Sequence, residues 1–166
     1  MAQDEVDRLI QAWQRERPDL DVTPMAVLSR VSRLARHLDR ARRAAFAEHG
    51  LEPWEFDVLA ALRRAGSPYE LSPGVLLAQT LVTSGTMTTR VDKLTGRGLV
   101  SRRRDADDRR AVRVSLTELG KTSVDAALEG LLAHERSLLA DLDGPERELL
   151  SGMLRTLVRP FDDAPA

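Results

Sequence analysis

Apolar residues recur along this chain at helical spacing, and proline and glycine residues mark the breaks between the runs. The second run begins at Thr23 and Pro24, which are typical of a helix N-cap followed by the first helical residue. The pattern predicts helices over residues 3–16, 24–50, 53–66, 73–79, 80–98, 117–141 and 146–161. The segment 67–72 between two of them is predicted to be a turn. The fold class is therefore mainly α.

A change of period in the middle of the chain predicts a small β-hairpin. Residues 99–104 and 111–117 alternate between apolar and polar positions and are rich in valine, and the charged segment DADDRR joins them. Two short helices followed by a hairpin predict a winged helix-turn-helix. In that arrangement the second helix is the one that enters the major groove of DNA.

The distribution of charge supports a polyanionic partner, although the formal net charge is only −1. Residues 83–121 hold ten Lys and Arg against five Asp and Glu, whereas residues 122–166 hold four against nine. Six arginines fall within residues 102–113 alone. A basic segment between acidic ends is the electrostatic pattern expected of a DNA-binding surface, so double-stranded DNA is the predicted partner.

The segment TSGTMTTR and the lysine that follows it have the composition of a DNA-reading helix. Short hydroxyl side chains can approach bases or phosphates closely, Gly85 permits near contact, and Lys93 can bind a phosphate. An alternative is that the Ser and Thr residues only cap and solvate the helix start. The predicted contacts on this helix are Ser84, Gly85, Thr86, Thr88, Thr89 and Lys93.

The predicted hairpin tip supplies a second DNA contact. Arg109 and Arg110 can reach the minor groove, which attracts arginine where it is narrow. Asp108 cannot favour a phosphate, so we expect it to pair with a wing arginine and orient the tip. A solvated run of charges is the alternative.

The long helices outside the winged unit predict a homodimer. A lobe of about 60 residues cannot cover the apolar faces of three such helices within one subunit, whereas packing them across a two-fold axis does so. We therefore divide the chain into 1–50 and 117–166 for dimerisation and 51–116 for DNA binding. Such a dimer presents two reading helices to a palindromic site, with half-sites about one helical turn apart.

Composition and motifs exclude several other functions. The chain has no cysteine, and its three histidines lack metal-ligand spacing, so we expect neither a metal site nor a cofactor. It shows no nucleophile triad, P-loop or GxGxxG motif, so no catalytic residue is predicted and an enzyme is disfavoured. It has no run of 18 apolar residues and an acidic N-terminus, so we expect no membrane contact and a cytoplasmic location.

The run from Ser84 to Gly120, with DRR at 108–110 and LTELG at 116–120, resembles the MarR family of bacterial transcription regulators. The resemblance covers residues 24–160. It implies an obligate homodimer with a winged helix in each lobe and repression relieved by a small aromatic or phenolic acid. It also implies that Asp108 and Arg110 are the aspartate and the minor-groove arginine of the wing.

A narrower resemblance is to the urate-responsive branch of this family, which has an added N-terminal helix. It implies that Trp13, Asp57, Arg90 and Arg102 bind the effector, and that an anion draws Arg90 away from Asp57 and shifts the reading helix. Arginine donors and a flat indole ring suit an anionic purine. The lack of cysteine argues against the peroxide-sensing branch.

Three alternatives to that interpretation stay open. Trp13 can be a staple that fixes the added helix, and Asp57 with Arg90 can be a structural ion pair. The effector can be another anion, such as trans-aconitate. Finally, the chain can be an architectural or interaction DNA-binding protein that has no small-molecule effector.

Overall fold

The structure is a computed structural model that describes residues 3–80, 82–104 and 112–162. Within these ranges the helices and strands are α1 (Glu5–Glu16), α2 (Met25–Glu48), α3 (Pro53–Arg64), β1 (Glu70–Leu71), α4 (Pro73–Thr80), α5 (Ser84–Gly96), β2 (Val100–Arg104), β3 (Val112–Leu116), α6 (Glu118–Leu138) and α7 (Gly144–Asp162). The mainly helical winged-helix fold is confirmed.

The wing is part of a three-stranded antiparallel sheet with the order β1-β3-β2. Strands β2 and β3 form the predicted hairpin, in which Val100 pairs with Leu116 and Arg104 with Val112. The third strand, β1, pairs Glu70 with Ser115. The prediction of a turn over residues 67–72 was therefore wrong at β1, because two residues are too few to show an alternating pattern.

The start of α2 differs from the expected cap. Pro24 lies at the N-cap position, and the first helical residue is Met25. The Thr23 hydroxyl donates a hydrogen bond to the Asp21 carboxylate (2.7 Å). The Thr23 hydroxyl, which was expected to cap α2, thus bonds to Asp21, and the start of α2 has no side-chain cap.

One buried cluster connects the winged unit to the long helices. The Phe46 ring of α2 stacks on the Phe56 ring of α3 with 4.0 Å between the centroids. Further large, fully buried side chains come from α3, α4, α5, β2, β3 and α6: Val58, Leu59, Leu62, Leu76, Met87, Val91, Leu94, Val100, Val114 and Val124. Helix α5, which contains the predicted DNA-reading segment, packs on a core that it shares with α2 and α6. Its position therefore depends on theirs.

Helix α1 docks on α2 through one apolar residue and one arginine. Val6 is buried. The Arg30 guanidinium donates to Asp4 (2.8 Å) and Asp7 (2.7 Å), and this hydrogen bonding lowers the pKa of Asp4 to about 2. The capping box of α1 reinforces the arrangement, because Asp4 also accepts from the backbone N–H of Asp7.

Helix α7 lacks any buried residue in the single chain. Its large apolar side chains are spaced by three and four residues and so share one exposed face: Leu149, Leu150, Met153, Leu154, Leu157, Val158 and Phe161. A soluble helix of this pattern normally buries such a face.

Candidate nucleic-acid interface

Helix α5 separates its residues into a buried face and an exposed face. Met87, Val91 and Leu94 are fully buried against the core. The opposite side exposes all six predicted contact residues, Ser84, Gly85, Thr86, Thr88, Thr89 and Lys93. The helix begins after the N-cap Thr83, whose hydroxyl oxygen accepts from the backbone N–H of Thr86 (3.4 Å).

Two threonines of this face have oriented hydroxyl groups. The Thr88 hydroxyl donates to the carbonyl oxygen of Ser84 (3.2 Å), and the Thr89 hydroxyl donates to that of Gly85 (3.1 Å). Each hydroxyl hydrogen therefore points back along the helix, and the oxygen lone pairs stay available as acceptors. Such a face suits the amino groups that adenine and cytosine display in the major groove.

The wing carries basic side chains on β2, and Arg102 among them contacts α5. Arg102, Arg103 and Arg104 of β2 are all exposed. The predicted tip residues Asp108, Arg109 and Arg110 lie outside the described residues, as does the expected pairing of Asp108 with a wing arginine. The structure therefore shows exposed arginines on β2. The DNA contacts of the hairpin tip stay predictions.

Arg102 connects the wing to the reading helix. Its guanidinium forms an ion pair with Asp92 of α5 (2.7 Å) and donates to the carbonyl oxygen of Thr88 (3.2 Å). Both contacts join β2 to α5 at fixed positions. Arg102 thus has a positioning contact in addition to the effector role that the resemblance implies.

Glu70 connects the wing to β1, and the sequence did not indicate this role. Its carboxylate accepts from the Ser115 hydroxyl (2.8 Å) and pairs with Arg103. The hydrogen bonds from Arg103 hold the pKa of Glu70 below its ordinary value. This contact could not be predicted from the sequence, because Glu70 reaches the wing only through the pairing of β1 with β3.

A second unpredicted residue pair holds the end of α5. Glu55 of α3 is only 2% exposed, pairs with Arg97, and accepts from the backbone N–H of Glu52 (2.9 Å). Arg97, the C-cap of α5, also donates to the carbonyl oxygen of Gly50 (2.8 Å). A buried carboxylate is stable only with such partners, so this pair fixes where α5 ends relative to α2 and α3.

Of the four predicted effector residues, three contact residues outside the predicted effector set: Asp57, Arg90 and Arg102. Asp57 forms its ion pair with Arg42 of α2 (3.7 Å), and Arg90 lies over the Trp54 ring, 5.5 Å from its centroid. The predicted ion pair between Asp57 and Arg90 was therefore wrong. The sequence does not show that Arg42 of α2 lies beside α3. Trp13 is 45% exposed on α1.

Two expected absences can be examined over the described ranges. In residues 3–80, 82–104 and 112–162, the structure has no cluster of three or more His, Asp or Glu residues that could hold a metal ion. In the same part of the chain, each helix is too short or too polar to cross a bilayer.

Comparison with known proteins identifies relatives of this arrangement. A sequence model of the MarR family matches residues 49–111. The chain is 37% identical over 150 residues to the HTH-type transcriptional regulator PecS of Dickeya dadantii, with 90% of each chain covered. It is 30% identical over 149 residues to the HTH-type transcriptional repressor NicR of Pseudomonas putida, with 87% of this chain and 92% of NicR covered.

A solved structure of a DNA-binding regulator has a similar fold. The chain is 26% identical to Bordetella bronchiseptica BpsR, over 77% of this chain and 98% of that one, with a TM-score of 0.58. The BpsR structure is described as a mechanism for regulation of its DNA binding by 6-hydroxynicotinic acid.

Proposed function

The chain belongs to the MarR family of transcriptional regulators, and on that premise we propose that it is a homodimeric repressor that binds a palindromic DNA site and is released by a small anion. As a member of this family it is a DNA-binding transcription regulator and not an enzyme. The observation that carries the proposal is the hydroxyl-rich face of α5, exposed beside the basic strand β2.

In the DNA-bound state, α5 enters the major groove and the wing lies along the neighbouring backbone. Ser84, Thr86, Thr88 and Thr89 face the base edges, and Lys93 binds a phosphate. At the tip, Arg109 and Arg110 enter the minor groove, and Asp108 orients them.

The exposed face of α7 supports the dimer. This face has seven large apolar side chains. Its burial between two copies would stabilise the dimer by about 25 cal/mol per Å² of apolar surface removed from water. Helix α2 adds exposed apolar residues of its own, Val27, Leu28, Val31 and Leu34. We therefore assign residues 1–50 and 117–166 to dimerisation and 51–116 to DNA binding.

The effector is a small anion, with urate as the first candidate. NicR is named as a repressor, and the BpsR description names an aromatic acid, which supports both parts of the proposal by relationship. Arg90 and Arg102 provide the anion donors, with Asp57 and Trp13 completing the site. An anion that drew Arg102 away from Asp92 would loosen the wing from α5 and lower the affinity for DNA.

Selection of bound duplexes from a random library, with and without urate, tests the proposal. We expect one palindrome to be enriched and its recovery to be abolished by urate. A palindrome that is recovered equally with urate would keep the regulator and discard this effector. Binding without sequence enrichment would favour the architectural alternative.

A further inference from the structure

The aromatic ring of Tyr69 lies between two helices and the sheet. Tyr69 is partly buried and directly precedes β1. The guanidinium carbon of Arg63, on α3, lies 5.0 Å from the centroid of the ring, and the Nζ atom of Lys121, on α6, lies 5.1 Å from it. Both distances are within the range of cation–π attraction. The ring therefore contacts one helix of the winged unit and one helix outside it.

An ion pair holds one of these two cations in place. The guanidinium of Arg63 donates to both carboxylate oxygens of Asp125, on α6, from Nε (2.8 Å) and from Nη2 (3.2 Å). Two-point pairing of this kind fixes the orientation of a guanidinium. The charge of Asp125 also offsets one of the two positive charges beside the ring. We call these four residues, Tyr69, Arg63, Lys121 and Asp125, the tyrosine cluster.

The backbone of Tyr69 has a conformation that needs stabilising contacts. Its φ is +60°, in the left-handed region that residues with a side chain rarely adopt. A residue persists in that region only where its surroundings hold it there. The contacts of the tyrosine cluster are of this kind. The carbonyl oxygen of Tyr69 accepts a hydrogen bond from the backbone N–H of Leu116 (3.1 Å), which joins Tyr69 to β3.

The residue that follows Tyr69 contacts the hairpin as well. Glu70 pairs with Arg103 of β2 and accepts from the Ser115 hydroxyl of β3 (2.8 Å). Tyr69 and Glu70 thus connect α3 and α6 on one side with β2 and β3 on the other. This connection is separate from the contact that Arg102 makes with α5.

We propose that Tyr69 is a positioning residue that fixes the wing relative to α6, through the contacts of its ring with Arg63 and Lys121. A change in the direction of α6 then moves the wing through Tyr69, in addition to any movement of α5 through the shared core. The importance of this for DNA binding rests on the proposed function, in which the wing tip contacts DNA. The aromatic ring is required for this role and the hydroxyl group is not.

Amide hydrogen exchange of the protein alone, followed by NMR, tests the position of the wing without DNA. Tyr69→Leu keeps an apolar side chain and removes the ring. We expect its Leu116 amide to exchange about tenfold faster than in the wild type, because two cation–π contacts are lost. The amides of α5 should exchange at the wild-type rate, and Tyr69→Phe, which keeps the ring, should leave both rates unchanged.

Three results of this experiment would overturn the positioning role. The first is an unchanged rate for Leu116 in Tyr69→Leu. The second is equal acceleration in the wing and in α5, which would indicate a general loss of stability instead of a loosened wing. The third is a Tyr69→Phe protein that exchanges as fast as Tyr69→Leu, which would assign the effect to the hydroxyl group.

The contribution of charge is tested on α6. Lys121→Met removes one of the two cations beside the ring and should accelerate exchange of the Leu116 amide about threefold. The matched control is Arg136→Met, which removes an exposed cation farther along the same helix and should leave the rate unchanged. Equal rates in the two variants would contradict the cation–π contact of Lys121.

Binding to a duplex recovered by selection separates this role from the proposed function. Tyr69→Leu should bind about fivefold more weakly, Tyr69→Phe should bind like the wild type, and Arg110→Ala should also bind more weakly. Normal affinity of Tyr69→Leu, beside a weakened Arg110→Ala, would reject the role of Tyr69 in DNA binding. Normal affinity of both, with fast exchange at Leu116, would reject the DNA contact of the wing and retain the positioning by Tyr69.

Discussion

At Gly120 the first turn of α6 comes so close to the start of β2 that a side chain has no room. A Cβ atom placed there would lie 2.0 Å from the carbonyl oxygen of Leu99 and 3.0 Å from its carbonyl carbon. The same turn is fixed by the N-cap Thr117, which accepts from the backbone N–H of Gly120 (3.0 Å) and donates to the carbonyl oxygen of Gly98 (2.7 Å). The glycine of the LTELG motif is therefore required by packing.

Replacing Gly120 with alanine should destabilise the fold. Because the clash is with backbone, the helix must move, and we expect the free energy of unfolding to fall by about 2–3 kcal/mol. Urea denaturation of the variant measures the change. The control is Gly96→Ala, where an added Cβ meets nothing within 4 Å. Equal stability of the two variants would contradict the close approach.

Replacing Glu70 with glutamine should weaken the wing base. The carboxylate pairs with Arg103 and accepts from Ser115, so its loss is expected to cost about 1–2 kcal/mol of unfolding free energy at pH 7. The pKa of Glu70 is lowered from 4.5 by Arg103, so its contribution is complete above pH 4.5 and is lost as the pH falls below that value.

Denaturation of the wild-type and Glu70→Gln proteins at several pH values measures this effect. The stability difference should be constant near neutral pH and close progressively below pH 4.5. A difference that persists unchanged at lower pH would mean that the charge of Glu70 has no part in holding the wing.

At the scale of elements, the sequence predicts the helices and strands that show a clear periodicity. Helix α5 and the hairpin follow from apolar spacing and alternation. The contacts of Asp57, Arg102 and Glu70 do not, because each depends on the relative placement of two elements distant in sequence. The same limit explains why the sequence predicts a pair between Arg90 and Asp57, whereas Arg90 lies over Trp54 in the structure. Strand β1 is missed for a different reason, because its two residues are too few to show alternation.

The contact between the wing and α5 can be separated from a direct DNA contact. Arg102→Ala removes the ion pair with Asp92, and we expect a loss of about 1 kcal/mol in DNA affinity, or roughly fivefold. Because this role of Arg102 is positioning, the slope of affinity against salt concentration should stay unchanged.

A double-mutant cycle with Asp92→Asn completes this test. If the two residues act through each other, the double variant should lose little more affinity than Arg102→Ala alone. A salt slope reduced by about one in Arg102→Ala, with additive losses in the cycle, would instead make Arg102 a phosphate contact.

At the scale of the whole molecule, the chain has a buried core and two notable exposed faces, the apolar face of α7 and the hydroxyl-rich face of α5. The core joins α2, α3, α5 and α6, so a shift of the reading helix would have to change its packing against the long helices. In the function we propose, a second copy covers the apolar face of α7 and DNA binds the exposed face of α5. These two contacts together favour a dimer that presents two reading helices.

Leu157→Glu should disrupt the dimer. The substitution places a charge in the apolar face of α7, where burial without a partner is strongly unfavourable. Light scattering should show the wild type as a dimer and the variant as a monomer at micromolar concentration. The control is Ser151→Glu on the same helix, outside the apolar face, which should remain dimeric. A wild-type protein that is already monomeric would contradict the assembly.

A hydroxyl-radical footprint of the protein on a selected duplex tests the central claim most directly. We predict two protected regions, related by symmetry, with centres about one helical turn of DNA apart, because each subunit of the dimer inserts one α5. A single protected region, or protection that lacks symmetry, would contradict a dimer that reads DNA with two copies of this helix.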